Sequence, residues 1–238
     1  MKFYNREKEL QNLRDIQISS QESSKMTVIV GRRRIGKTKL IKEAYKEKIY
    51  FFVSKKDESL LCTEFIDIVQ GILNIKILGE FKSFKNLFEY LMQLSITTPF
   101  TLIIDEFQEF LQINISIYSD MQNIWDEYKD NSKMNLILSG SIYSLMKKIF
   151  EDKKEPLFGR ANNKIHLKPF TVKTLKDILK ENYPNYQNSD LLSFYIFTGG
   201  VAKYVEIFVE KKAFTFDKQL DLIFDDFSLF LEEGKNLL

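Results

Sequence analysis

The chain is poor in the residues that zinc, redox and nucleophilic enzymes depend on. Among its 238 residues there is one cysteine, Cys62, and one histidine, His166. A lone cysteine excludes a disulfide within the chain and suits a reducing compartment, so a cytoplasmic location is expected. Zinc centres and Ser-His or Cys-His catalytic pairs are excluded too, unless Cys62 and His166 meet in space. No run approaches the ~20 consecutive apolar residues that a membrane-spanning helix needs. The start, Met-Lys-Phe-Tyr-Asn-Arg-Glu-Lys, is charged and has no apolar signal core, and no membrane partner is expected. A dominant charge is missing as well, since 35 Lys and Arg face 33 Asp and Glu for a formal +2. No global field attracts nucleic acid, so any DNA contact must be local. Repeats, low-complexity tracts and long linkers are absent.

What the chain does contain is ordinary globular composition, 44% hydrophobic and 29% charged, in a length that fits one large domain or one domain with a small appendage. Within it, Met26 to Thr38 reads Met-Thr-Val-Ile-Val-Gly-Arg-Arg-Arg-Ile-Gly-Lys-Thr. An apolar run enters a loop with the phosphate-binding pattern G-x-x-x-x-G-K-[ST]. Main-chain N–H groups that converge on phosphate oxygens need curvature and close approach, which Gly31 and Gly36 permit because they lack a Cβ. Lys37 is expected to reach the β- and γ-phosphates and Thr38 to offer its hydroxyl to Mg²⁺. The helix that starts there aims its positive end at the anion.

Apolar runs and helical patterns alternate as a parallel sheet with crossover helices requires. Strands are predicted at Met26–Val30, Ile49–Val53, Phe100–Ile104, Asn135–Ser139 and Lys164–Leu167. Helices are predicted at about Lys37–Glu47, Leu60–Gln70, Phe84–Leu94 with Ser83 as N-cap, Tyr118–Tyr128 and Ile142–Phe150. Ile18 to Lys25 reads as a surface loop. After Pro169 the pattern becomes helical, at Thr171–Lys180, Asp190–Phe197, Ala202–Glu210 and Phe216–Leu231, with Gly199-Gly200 as a break. The expected organisation is an α/β core at 1–168 and a small helical lid at 169–238.

Thr101 to Glu106 is an apolar strand ending in two acids, about 70 residues after the loop. In that order Asp105 is expected to hold the Mg²⁺ shell, and Glu106 to act as the general base that polarises an attacking water. Asn135 to Ser141 is another buried run ending in hydroxyls. Ser139, with Ser141 beside it, stands at the strand edge where open α/β sheets bind ligands and is a candidate γ-phosphate sensor; the alternative is a Ser-Gly-Ser turn and helix cap. Arg160, in Pro-Leu-Phe-Gly-Arg, is a candidate for stabilising γ-phosphate charge within the chain or across a subunit interface, against the alternative of a surface arginine. Arg32, Arg33 and Arg34 shield phosphate, contact an acidic neighbour, or form a solvated basic tip. Cys62, His166 and Trp125 read as structural.

Together these motifs resemble the archaeal-type ATPase family, a branch of the STAND division of P-loop NTPases. Phe3-Tyr-Asn-Arg-Glu-Lys-Glu-Leu10 is similar to the family's N-terminal box, Gly31–Thr38 to its arginine-rich Walker A loop and Leu102–Phe107 to its Walker B strand. Ser139–Ser141, Pro156–Arg160 and Gly199–Tyr204 follow in family order, with Ala202 where the family usually has proline. The resemblance implies an AAA-like P-loop fold, a three-layer parallel sheet of order 5-1-4-3-2 followed by the helical lid. It also implies that Arg6 lines the adenine and ribose side. The nucleotide-binding set is then Arg6 with Gly31, Arg32, Arg33, Arg34, Ile35, Gly36, Lys37, Thr38 and Lys39. Similar proteins usually continue past the point matching Leu238 into a winged-helix segment and often a nuclease-like domain, where DNA binding would reside.

The expected function is a Mg²⁺-dependent ATPase, hydrolysing slowly as a nucleotide-driven switch on a protein or DNA partner. The alternative is an ATP-gated binding module with negligible hydrolysis. Lys37, Glu106, Ser139 and Arg160 form the catalytic set, Thr38 and Asp105 the metal set, and ATP and ADP are the ligands. A nucleotide-dependent homo-oligomer is compatible with either reading. GTP is disfavoured, because the guanine reader Asn-Lys-x-Asp is absent and its nearest string, Asn163-Lys-Ile-His166, lacks the acid.

Overall fold

The computed structural model describes residues 3–225 and Phe230. Its strands are β1 (Lys25–Val30), β2 (Ile49–Phe52), β3 (Phe100–Asp105), β4 (Met134–Gly140) and β5 (Asn163–His166). They make one sheet in the order β2-β3-β4-β1-β5, with every neighbouring pair parallel. Read from the other edge this is 5-1-4-3-2, the order that the family resemblance implied. The central β4 is buried at every position, which is why its sequence is a continuous apolar run rather than an alternating one.

Register gathers the functional ends. Val30 pairs with Gly140 across β1 and β4 and with His166 across β1 and β5, while Ile104 pairs with Leu138. The residues after Val30, the acids after Ile104 and the Ser139–Ser141 segment therefore emerge along one C-terminal edge.

Helices cover both faces of the sheet. On one face lie α3 (Glu58–Leu73), α4 (Phe84–Thr97), the short α5 (Phe110–Ile113), α6 (Ser116–Tyr128) and α7 (Tyr143–Glu151). They enclose an apolar cluster that includes Val28, Phe51, Phe65, Phe88, Ile104, Phe107, Trp125 and Leu138. Phe51 and Phe65 stack with centroids 4.1 Å apart, a geometry that adds about 0.5–1.5 kcal/mol beyond burial. Ser83 caps α4 as expected, its Oγ accepting the Asn86 N–H.

The opposite face carries α1 (Glu7–Ser19) and α2 (Lys37–Ala44). The Tyr45 hydroxyl donates to the Leu13 carbonyl (3.1 Å), and Gln17 donates to Thr101 (3.2 Å). The sequence reading missed α1. Leu13 is its only fully buried residue, so its apolar stripe is too thin to read as a helix period. Also unforeseen was the 3-10 turn Phe107–Glu109 that leads from β3 into α5. Among the described residues, no helix is long and apolar enough to cross a membrane.

Two compact units emerge from the packing. One is Glu7–Arg33 with Lys37–Leu167; the other is Met1–Arg6, Arg34–Gly36 and Lys168–Leu238. The second unit holds α8 (Val172–Asn182), α9 (Asn188–Thr198), α10 (Ala202–Glu210) and α11 (Phe216–Phe224). These pack around Phe170, Leu175, Ile178, Leu179, Phe194, Val205 and Phe208. The last expected helix, Phe216–Leu231, is seen to Phe224, and 226–229 and 231–238 lie outside the described residues.

The break between α9 and α10 is a matched pair of glycines. Gly199 ends α9 at φ +53°, and Gly200 follows at φ +69°. Gly200 accepts the Phe170 N–H at 2.8 Å, and a Cβ there would stand 2.3 Å from the Phe170 carbonyl oxygen; Gly199 has open space. Gly199→Ala is expected to cost about 1–2 kcal/mol from the left-handed backbone alone. Gly200→Ala adds a backbone clash to the same strain and should lower the melting temperature by several degrees more. Equal losses in thermal melts would show that Phe170 yields freely.

Candidate active site

The loop Gly31–Thr38 joins β1 to α2. Gly36 takes φ +99°, which glycine allows, and Arg34 takes φ +68°, which the sequence did not foretell. The Lys37 ammonium curls back over its own loop, donating to the Gly31 carbonyl (2.9 Å) and, at 3.5 Å, to that of Arg32. Burial pushes its pKa down, while the nearby Glu106 and Asp105 charges pull it partly back. Lysine and both acids therefore share one electrostatic neighbourhood.

Asp105 is 4% exposed. Its Oδ2 accepts the Thr38 hydroxyl at 3.3 Å and the Tyr50 hydroxyl at 2.5 Å, and its Oδ1 accepts the Glu106 N–H at 3.0 Å. Tyr50 was not singled out in the sequence. Its position as the second residue of a short edge strand looks like packing until β3 is placed beside it. A hydroxyl and a carboxylate at hydrogen-bonding distance at the start of α2 are hard oxygen donors, which fit Mg²⁺. Among the described residues no three His, Cys, Asp or Glu cluster, so an ion here would take its remaining ligands from phosphate and water.

Glu106 sits at φ +54°, a left-handed conformation that costs a non-glycine residue about 1–2 kcal/mol. Its Oε2 accepts the Gln108 amide at 2.6 Å and the Ser141 hydroxyl at 2.7 Å. Gln108 is 1% exposed and was also missed; it lies in the unforeseen turn. Ser139 is fully buried in β4, and its hydroxyl has no hydrogen-bond partner among the described residues. The two serines thus differ: Ser141 holds the acid, while Ser139 presents an unsatisfied hydroxyl beside it in sequence.

Other expected site residues lie elsewhere or face solvent. Arg32, Arg33 and Lys39 are exposed, and Ile35 is buried. Arg34 accepts the Lys203 N–H on its carbonyl (3.2 Å), and its guanidinium lies 5.9 Å from the Tyr204 ring centroid. Arg6 donates to the Lys168 carbonyl (2.5 Å) and lies over the Phe170 ring. Arg160 is tied within its own unit by Nε and Nη2 bonds to Asp126 (3.0 and 2.6 Å) and an Nη1 bond to the Pro156 carbonyl (2.7 Å). The Asn162 N–H meets the Met26 carbonyl at 2.8 Å, which puts this segment beside the start of β1. The loop follows its end, some 13 Å further along at ~3.3 Å per residue. Arg160 does not join the loop cluster of its own chain. A cavity of about 700 Å³ opens at that same N-terminal edge, lined in part by Lys42, Lys46, Lys48, Tyr50 and Phe100. Burial holds the Cys62 thiol near a pKa of about 12, and it stands as a core residue.

A family described as an ATPase domain predominantly from Archaea matches residues 3–208. The chain belongs to that family. An uncharacterized protein of Methanocaldococcus jannaschii is 30% identical to this archaeal-type ATPase domain over 206 residues, 86% of this chain and 43% of the relative. The chain thus spans under half the length of that curated relative. A Walker-type ATPase of Pyrococcus abyssi shares the fold at TM-score 0.69 and 19% identity, covering 99% of this chain and 73% of that one. The ORC2 protein of Aeropyrum pernix, solved as ADPNP–ADP complexes, gives 0.64 at 16% identity over 88% and 62%. A STAND protein of Pyrococcus horikoshii with a tetratricopeptide repeat sensor gives 0.62 at 17% over 99% and 32%.

Three tyrosines are expected to make the domain alkali-sensitive. Burial raises the Tyr45 pKa to about 12, and burial also raises Tyr118 and Tyr50, the latter helped by the Asp105 carboxylate. In the unfolded chain they ionise near pH ~10. Their contribution is full below that pH and is lost as pH rises toward and past 12, because only the unfolded state releases the protons early. Each proton adds a slope of about 1.4 kcal/mol per pH unit. Urea unfolding between pH 9 and 11.5 should show falling stability, and Tyr50→Phe should shallow the fall by one proton. An unchanged slope would place Tyr50 outside this network.

Proposed function

We propose that this protein binds ATP with Mg²⁺ and hydrolyses it slowly, using the nucleotide as a conformational switch on a protein or DNA partner. The observation that carries the proposal is the Thr38–Asp105 contact beside Lys37 and Glu106, at the sheet edge where the loop begins. In this reading the loop amides and Lys37 hold the β- and γ-phosphates. Thr38 and Asp105 hold the metal, which would neutralise phosphate charge when bound. Glu106 takes the proton of the attacking water, and the Ser139 hydroxyl finds in the γ-phosphate or that water the partner it lacks. Exposed Arg32 and Arg33 screen phosphate charge at the loop tip.

Slow turnover follows from Arg160. In-chain bonds to Asp126 and Pro156 occupy it, so this arginine does not compensate γ-phosphate charge at the loop of its own chain. The switch reading draws on the Lys203 N–H bond to the Arg34 carbonyl, which links the loop tip to the start of α10. DNA as partner draws on a fold neighbour, the Aeropyrum pernix ORC1 protein, solved in complex with DNA.

Lys37→Ala is expected to abolish the ATP-induced thermal shift, which at 100 times Kd corresponds to ~2.7 kcal/mol. Glu106→Gln should keep that shift and lower turnover by about 10²-fold or more. A wild type no faster than Glu106→Gln would refute hydrolysis and leave the ATP-gated binding module. Gel shifts and pull-downs with and without ATP test the switch, and partner binding indifferent to ATP counts against it.

A further inference from the structure

We propose that Gln108 and Ser141 are positioning residues that aim the Glu106 carboxylate at the attacking water. The proposal rests on the reading of Glu106 as general base. Both donors fall on one oxygen, Oε2, at 2.6 and 2.7 Å. Oε1 is left to accept the proton. During hydrolysis the water oxygen bonds to the γ-phosphorus and the bridging P–O bond breaks. ADP leaves, inorganic phosphate forms, and the water's proton passes to Glu106 and then to solvent. A carboxylate anchored through one oxygen presents the other in a single direction, and misplacement by about 1 Å can cost 10²-fold in rate.

Packing alone does not account for Gln108. Its Oε1 is buried without a hydrogen-bond partner, an unfavourable state for an amide. The acceptor it faces, Glu106, decides which end of the amide is nitrogen. A Cβ at Gly140 would stand 2.5 Å from that Oε1, so β4 makes room for the amide with a glycine. The turn that carries Gln108 is held from below, where the Phe107 and Phe110 rings meet edge to face at 5.7 Å and the Tyr118 hydroxyl donates to the Phe107 carbonyl at 3.3 Å. A packed turn, a cleared space and an amide that forgoes its own acceptor bond favour Glu106 Oε2, at 2.6 Å, over the weaker 3.3 Å bond that the same amide makes to Glu109 Oε1.

The test is a double-mutant comparison of ATP turnover. Gln108→Leu and Ser141→Ala are made in the wild type and in the Glu106→Gln background, with Ser141→Thr as the conservative variant that keeps a hydroxyl. In the wild type, Gln108→Leu should lower kcat about 10- to 100-fold with KM and the ATP-induced thermal shift unchanged. Ser141→Ala should lose less, and Ser141→Thr should recover most of it. In the Glu106→Gln background neither change should lower kcat further, because residues that act through one group are silent once it is gone. Equal further losses there would show a merely structural role, and a Gln108→Leu kcat at or above wild type would overturn the proposal. If Gln108→Leu does not fold, the Ser141 pair and the isosteric Gln108→Glu carry the comparison. Wild type equal to Glu106→Gln marks failure of the general-base reading instead, before Gln108 enters.

Discussion

A buried carboxylate needs donors, and Asp105 organises its surroundings by that need. At 4% exposure its charge has little access to water. An unpaired buried ion is among the costliest groups a fold can contain. Three donors answer it, from three different places: Thr38 at the start of α2, Tyr50 in β2 and the main chain of Glu106. The Thr38 and Tyr50 bonds tie α2 and β2 to the end of β3. The distance between the phosphate loop and the acids is therefore set by an electrostatic requirement as well as by apolar packing.

The same requirement shapes the charges around it. Lys37 is partly desolvated, and its neighbours Glu106 and Asp105 offset that cost. It also caps two carbonyls of its own loop, a provisional arrangement that phosphate oxygens can improve on. Glu106 occupies a left-handed backbone position immediately after the strand, and strain of that kind gathers where function fixes geometry. The turn that follows sits on an aromatic floor of Phe107, Phe110 and Tyr118. Rigid apolar packing below and polar groups above give the acid a defined direction.

The parallel strands were legible because strands covered on both faces are written as continuous Ile, Leu and Val runs. The phosphate loop was legible because its glycines and lysine fall at fixed spacing, and the acid pair because it ends such a run. Less visible was α1, whose polar sequence buries a single leucine fully. Tyr50 and Gln108 carry no local signal. Each is an ordinary residue until another strand or turn is set beside it. Arg160 was visible as a cation on an irregular segment, but its partner Asp126 lies on a helix 34 positions away.

By itself the sequence determined the five strands, the helices with a clear apolar stripe, the loop and the order of the motifs, since these follow from local periodicity and from the backbone freedom of glycine. Tertiary structure alone decided which hydroxyl reaches which carboxylate. It placed Ser141 and not Ser139 on Glu106, brought Tyr50 to Asp105 and drew Arg160 to Asp126. The reason is that hydrogen bonds act over about 3 Å, and strand register and helix packing determine which distant residues come that close.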